Sequence, residues 1–239
     1  MSMTITPSVA SANQLYLAEE LSSFAPSVPF HVDIEDGNYV YNITFGMRTV
    51  RSIASICKNP LHFHLNVTNP ADYYDELAKL GAAAVAIPFE GCAAPMRDLD
   101  RIRDLGMSPG MAVTMKTPIC ALEAFIPEVE WIVLMTYGSS KGGMNGLGFR
   151  EHSLERIRRL RAMMHEGQHI CIDGGTAERE LILAHEAGAD MAVLGRLLFP
   201  EMQADGKHEG RILLPSEREK TPAQLLEYYE HLFNKTGGK

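Results

Sequence analysis

The sequence predicts a single (β/α)8 barrel of α/β class spanning residues 1–239. Eight short apolar runs recur along the chain, and amphipathic segments of helical period separate most of them. The length of 239 residues suits one barrel that does not split into domains. Strand–helix alternation on this scale calls for parallel strands joined by helical crossovers, and eight such units favour a closed barrel over an open sheet.

Taken in order, the predicted strands are residues 4–8, 30–34, 61–67, 83–88, 108–113, 131–136, 169–172 and 191–195. The helical patterns between them cover 16–24, 49–57, 72–80, 96–105, 119–126, 153–166 and 177–187. Asn69-Pro70 and Thr117-Pro118 read as helix starts, and Gly81, Gly106, Gly167 and Gly188 stand where helices should stop. Residues 200–221 are polar and read as a surface loop before a last amphipathic helix, 222–233. No G-x-G-x-x-G follows the first strand, which argues against a dinucleotide fold.

Hydrophobic residues make up 46% and charged residues 22%, enough to bury a core without disulfides. The formal net charge of -8, with scattered lysines and arginines, argues against nucleic acid as the partner. Cys57, Cys92, Cys120 and Cys171 form no C-x-x-C pair, so a cysteine zinc site is not expected. No leader-like segment and no apolar run of bilayer length is read, and the expectation is a cytoplasmic protein without a membrane partner.

Barrel chemistry sits at the C-terminal ends of the strands. His31 and Asp33 are two residues apart at the end of the second strand, so they share a face, as do His62 and His64 on the third. Asp173 closes the seventh strand just before Gly174-Gly175. One inward histidine alone is more often a hydrogen-bonded core residue. His31, Asp33, His64 and Asp173 together at one mouth suit one divalent ion such as Zn, Fe, Mn or Co. Phosphate would be held by glycine turns presenting backbone N–H groups: the sixth loop with Gly146 and Gly148, then Gly174 and Gly175, then Gly195 with Arg196.

These residues resemble the ribulose-phosphate 3-epimerase family. The run His31-Val32-Asp33-Ile34-Glu35-Asp36-Gly37-Asn38-Tyr39-Val40-Tyr41-Asn42-Ile43-Thr44-Phe45-Gly46 is similar to its H-x-D-x-M-D-G-x-F-V-P-N-x-x-x-G signature. Pro7-Ser8-Val9-Ala10-Ser11-Ala12-Asn13 is similar to its P-S-x-x-S-A-D opening, His64-Leu65-Asn66-Val67 to H-L-M-V, Met135-Thr136 to M-T and Asp173-Gly174-Gly175 to D-G-G. The resemblance implies a ribulose-phosphate-binding type of barrel with a small sugar-phosphate substrate. His31, Asp33, His64 and Asp173 would hold the metal. Asp33 and Asp173 would be the two catalytic bases that invert C3 of a pentulose or hexulose phosphate through a cis-enediolate. Ser8, Met135, Glu35 and Asn66 would contact substrate. Family barrels are often homo-oligomers.

The chain departs from the family pattern, and the departures resemble those of a divergent branch of epimerase-like proteins linked to sugar operons. Glu35 and Asn66 replace methionines, Tyr41 replaces a proline, and the sixth loop lacks N-P-G-F-G-G. Arg196 stands where a small residue usually follows the eighth-strand glycine. It grips phosphate as a guanidinium fork, similar to the Gly-Arg of the related orotidine phosphate decarboxylases, or pairs with Glu35 across the mouth, or points to solvent. The alternative function is a non-catalytic sugar-phosphate-binding protein. Aldol or decarboxylase chemistry would want a strand-end lysine, and none is present.

Overall fold

The computed structural model describes residues 2–137, 148–199 and 219–234. Eight parallel strands form one sheet in the order β1-β8-β7-β6-β5-β4-β3-β2. They are β1 (Thr4–Pro7), β2 (Phe30–Glu35), β3 (Leu61–Asn66), β4 (Ala84–Pro88), β5 (Ser108–Val113), β6 (Trp131–Met135), β7 (His169–Asp173) and β8 (Met191–Leu194). A single parallel bridge between Ser8 and His31 joins the two ends, so the sheet curls into a nearly closed barrel. All eight expected strands are present, most with ends shifted by one residue. Predicted loop 200–221 lies almost wholly outside the described residues.

The helices are α1 (Leu17–Ser22), α2 (Met47–Ile56), α3 (Tyr74–Lys79), α4 (Pro95–Asp104), α5 (His152–Met163), α6 (Glu178–Glu186) and α7 (Pro222–Asn234). Between β5 and β6 the expected helix is absent. Two 3-10 turns, Ile119–Leu122 and Ile126–Glu128, take its place. Pro127 lacks an N–H, so it cannot extend an α-helical ladder from this segment, and it sits instead in the first turn of the second 3-10 piece. The glycines expected to stop helices all have positive φ, between 79° at Gly81 and 113° at Gly188.

Strand alternation divides the core in two. Outward residues such as Ile34, Leu65, Ile87, Met111, Leu134 and Ile172 are fully or almost fully buried beneath the helices. Inward residues Ala84, Ala86, Ala112, Trp131, Val133, Met135, Cys171, Met191 and Val193 fill the barrel itself. The small residues of β4 and β5 make room for Trp131. A Cβ on Gly110 would run into the Trp131 indole, whose Nε1 donates to the Ser108 carbonyl at 3.5 Å. Gly110→Ala is therefore an overpacking change, expected to cost about 1–3 kcal/mol. A thermal melt checks this: each kcal/mol should lower Tm by roughly 2–4 °C in a chain of this size.

His62 tilts against Trp131 with ring centroids 5.7 Å apart. Burial lowers its imidazole to about 4, with His31 adding to the shift, so it packs as a neutral ring below the strand-end residues.

Candidate metal centre and substrate cavity

The register of β2 on β3 sets Asp33 beside His64 and Glu35 beside Asn66. Because side chains alternate, His31, Asp33 and Glu35 all point inward from β2, and His64 and Asn66 from β3. Asp173 arrives from β7, with β8 and β1 lying between it and β2. The four residues expected to hold a metal come together. One donor atom from each of His31, Asp33, His64 and Asp173 lies within 4.8 Å of all the others.

The contacts inside this cluster are short. His31 Nε2 lies 3.2 Å from Asp33 Oδ1 and 3.7 Å from Asp173 Oδ2. His64 Nδ1 lies 3.1 Å from Asp33 Oδ1 and 3.4 Å from Asp173 Oδ2. Both histidines are 1% exposed. Their other ring nitrogens, His31 Nδ1 and His64 Nε2, have no hydrogen-bond partner. The carboxylates orient both imidazoles, and Asn66 Nδ2 adds a contact to His64 Nδ1 at 3.4 Å.

The electrostatics ask for positive charge at the centre. Burial alone would raise the Asp33 carboxyl, but His31 and His64 beside it hold it well below the usual carboxylate range. Burial works against charge on His64 as well, and its hydrogen bonds to Asp173 and Asp33 outweigh this and push it up to about 10. Two half-buried carboxylates converge on buried imidazole nitrogens, and a cation can replace the imidazolium proton that otherwise neutralises them. Two imidazoles and two carboxylates also make the right mixed donor set for a borderline divalent ion, so the residues fit one.

Asp33 and Asp173 of the cluster line a cavity of about 540 Å³, with the two buried imidazoles behind them. Ser8, Glu35, Asn66, Met135, Gly174, Gly175, Gly195 and Arg196, all expected near substrate or phosphate, line it too. Gly148 does not, although it is described, and Gly146 lies outside the described residues. Ser8 Oγ donates to Asp33 Oδ2 at 3.4 Å. Gly174 and Gly175 have φ of 101° and 70°, a turn that favours glycine. A Cβ on Gly174 would also strike the Tyr137 ring, so the aromatic packs directly on this turn. Arg196 lines the cavity on the turn after β8.

Several residues that shape the site carry no role in the sequence reading. Thr136 is fully buried. Its N–H donates to the Asp173 carbonyl at 2.8 Å, and its hydroxyl hydrogen-bonds the Asp173 and Gly174 carbonyls. Thr44 Oγ1 donates to the Asp33 carbonyl at 2.5 Å and accepts from the Glu35 N–H at 3.1 Å. Asn42 Nδ2 donates to Glu35 Oε2 at 2.5 Å. The available signal was a hydroxyl or amide residue next to a strand-end acid, too common a pattern to single out. Burial pushes the Glu35 carboxyl up to about 7, with the Asp33 charge adding to the shift and the Asn42 bond opposing it.

The model of the ribulose-phosphate 3 epimerase family matches residues 4–199 of the chain. The chain belongs to the ribulose-phosphate 3-epimerase family. A ribulose-phosphate 3-epimerase of Synechocystis sp. is 34% identical over 204 residues, covering 82% of this chain and 87% of the relative. That of Bacillus subtilis is 28% identical over 201 residues, covering 82% and 91%. Solved structures agree on the fold alone. A tryptophan synthase alpha-subunit variant of Pyrococcus furiosus superposes with a TM-score of 0.64 at 13% identity, covering 98% of each chain. The orotidine 5'-phosphate decarboxylase of Pyrococcus horikoshii does so at 0.60 and 15%, covering 96% of this chain and 99% of its own. The His31, Asp33, His64 and Asp173 group, which could hold a metal ion, stands on β2, β3 and β7, all within the matched span. Among the described residues no helix is long and apolar enough to cross a membrane.

Proposed function

We propose that the protein is a metal-dependent epimerase that inverts C3 of a ketose phosphate by a two-base mechanism. The observation that carries this reading is the convergence of Asp33 and Asp173, from non-adjacent strands, on the same pair of buried imidazole nitrogens. Family membership and the epimerase names of the relatives support the reaction class.

A divalent cation held by His31, Asp33, His64 and Asp173 would supply Lewis-acid stabilisation of the oxyanion that develops at C2. A carbon acid next to a ketone is too weak for a carboxylate base without such stabilisation. One aspartate takes the C3 proton as the electron pair moves to the C2 oxygen, leaving a cis-enediolate. The other aspartate, protonated at the start, returns its proton to the opposite face of C3. The pair carries one proton between them, and a turnover in one direction leaves them poised for the reverse. Ser8, through its bond to Asp33 Oδ2, orients that carboxylate. Thr136 fixes the backbone of Asp173. Gly174, Gly175 and Gly195 offer backbone donors to the phosphate, and the Arg196 guanidinium adds a charged fork at the same end.

The test is interconversion of paired C3 epimers by the metal-loaded protein, followed by NMR across pentulose and hexulose phosphates. Approach to the same mixture from both sides is expected. No interconversion in any pair would overturn the proposal. Arg196→Ala should raise KM about 10- to 100-fold with a smaller change in kcat, the scale of a hydrogen bond to a charged group. An unchanged KM would remove Arg196 from the phosphate site.

A further inference from the structure

Glu35 is a carboxylate in the cavity that the two-base scheme does not use. It is 6% exposed, lines the cavity and lies outside the four-residue metal cluster. Its place two residues beyond Asp33 on β2 sets it one layer closer to the barrel mouth. Its register partner on β3 is Asn66, itself 7% exposed and also on the cavity wall. Asn42 holds Glu35 Oε2 at 2.5 Å, and Thr44 fixes its backbone N–H.

Burying a third carboxyl within reach of Asp33 and Asp173 is costly, and packing alone would be met by an apolar side chain. A carboxylate fixed by an amide donor on one side is built to accept hydrogen from the other. On a polyol chain, the groups that donate in this way are hydroxyls. A site that supplies such an acceptor also rejects a ligand lacking the hydroxyl, because the buried acceptor is then left unpaired.

We propose that Glu35, braced by Asn42, is a specificity-determining residue that accepts a hydrogen bond from a substrate hydroxyl flanking the C2–C3 centre, on C1 or C4. The inference rests on the ketose-phosphate reading of the cavity. It assigns the substrate class as ketose phosphates that carry this hydroxyl, as against their deoxy analogues.

The experiment is calorimetric binding of a ketose phosphate and of its 1-deoxy and 4-deoxy analogues to the metal-loaded full chain, wild type and Glu35→Met. In the wild type, loss of one of the two hydroxyls should weaken binding about 10- to 100-fold. In Glu35→Met the same loss should cost less than about threefold. Should Glu35→Met fail to fold, Glu35→Gln keeps the shape without the charge, and the deoxy penalty should shrink there too. A deoxy penalty equal in wild type and variant, or absent in the wild type, overturns the inference. Proton exchange at C3 is measured in parallel. Binding without exchange would defeat the epimerase reading while the hydroxyl comparison still decides the role of Glu35. Failure to bind any ketose phosphate would overturn both.

Discussion

Asp173→Asn and Asp33→Asn are each expected to lower epimerisation on the order of 10³-fold or more, with the barrel still folded. General acid–base groups commonly contribute on the order of 10²–10⁴-fold, and each aspartate here also belongs to the donor set of the metal. Steady-state rates from both epimers would measure the loss. Solvent exchange gives a sharper signature than the rate. An asparagine cannot shuttle the proton, so the remaining carboxylate should still exchange the C3 hydrogen of one epimer faster than either epimer converts. Which epimer exchanges should switch between the two variants, since each leaves a base on a different side. Equal, small losses in both variants with no such switch would mean that the aspartates only position metal.

Removal of the metal is the second large effect. A ligand that binds only the folded state adds about 4 kcal/mol at a thousand times its Kd. In a chain of this size that corresponds to a fall in Tm on the order of 10 °C on chelation, with epimerisation lost at the same time. Without the cation the half-buried Asp33 and Asp173 carboxylates lean on the His31 and His64 rings, which lie 3.1–3.7 Å from them. His31→Ala should melt near the chelated wild type, and chelator should then shift it little. Titrating Mn, Co, Zn and Fe back into the chelated protein, with Tm and rate read together, checks both halves. A wild-type melt indifferent to chelator would count against a resident metal.

The fold was legible because each strand carries its own signal. Apolar runs bounded by glycine and proline gave all eight strands, and the strand period of two placed His31 with Asp33 and His62 with His64 on one inward face. The convergence of Asp173 with them was legible only through the barrel itself, since 140 or so residues separate it from Asp33 and only closure brings β7 near β2. The one expected helix that is absent among the described residues is the pattern over 119–126, which breaks into two 3-10 turns and cannot be extended through Pro127. The contacts that brace the site were not legible. Asn42 reaches Glu35, and Thr136 reaches Asp173 and Gly174, across loop closures whose geometry no local pattern encodes. Of the two sixth-loop glycines expected to hold phosphate, Gly148 is not among the cavity-lining residues and Gly146 lies outside the described residues.

The central claim is that the His31, Asp33, His64 and Asp173 cluster inverts C3 by removing and returning a proton. Its most direct test is turnover in deuterated water with metal-loaded protein, stopped early, with the product epimer examined by NMR. The account predicts one deuterium at C3 of the product and none at C1. Inversion with the original C3 hydrogen retained, or deuterium at C1, would contradict it.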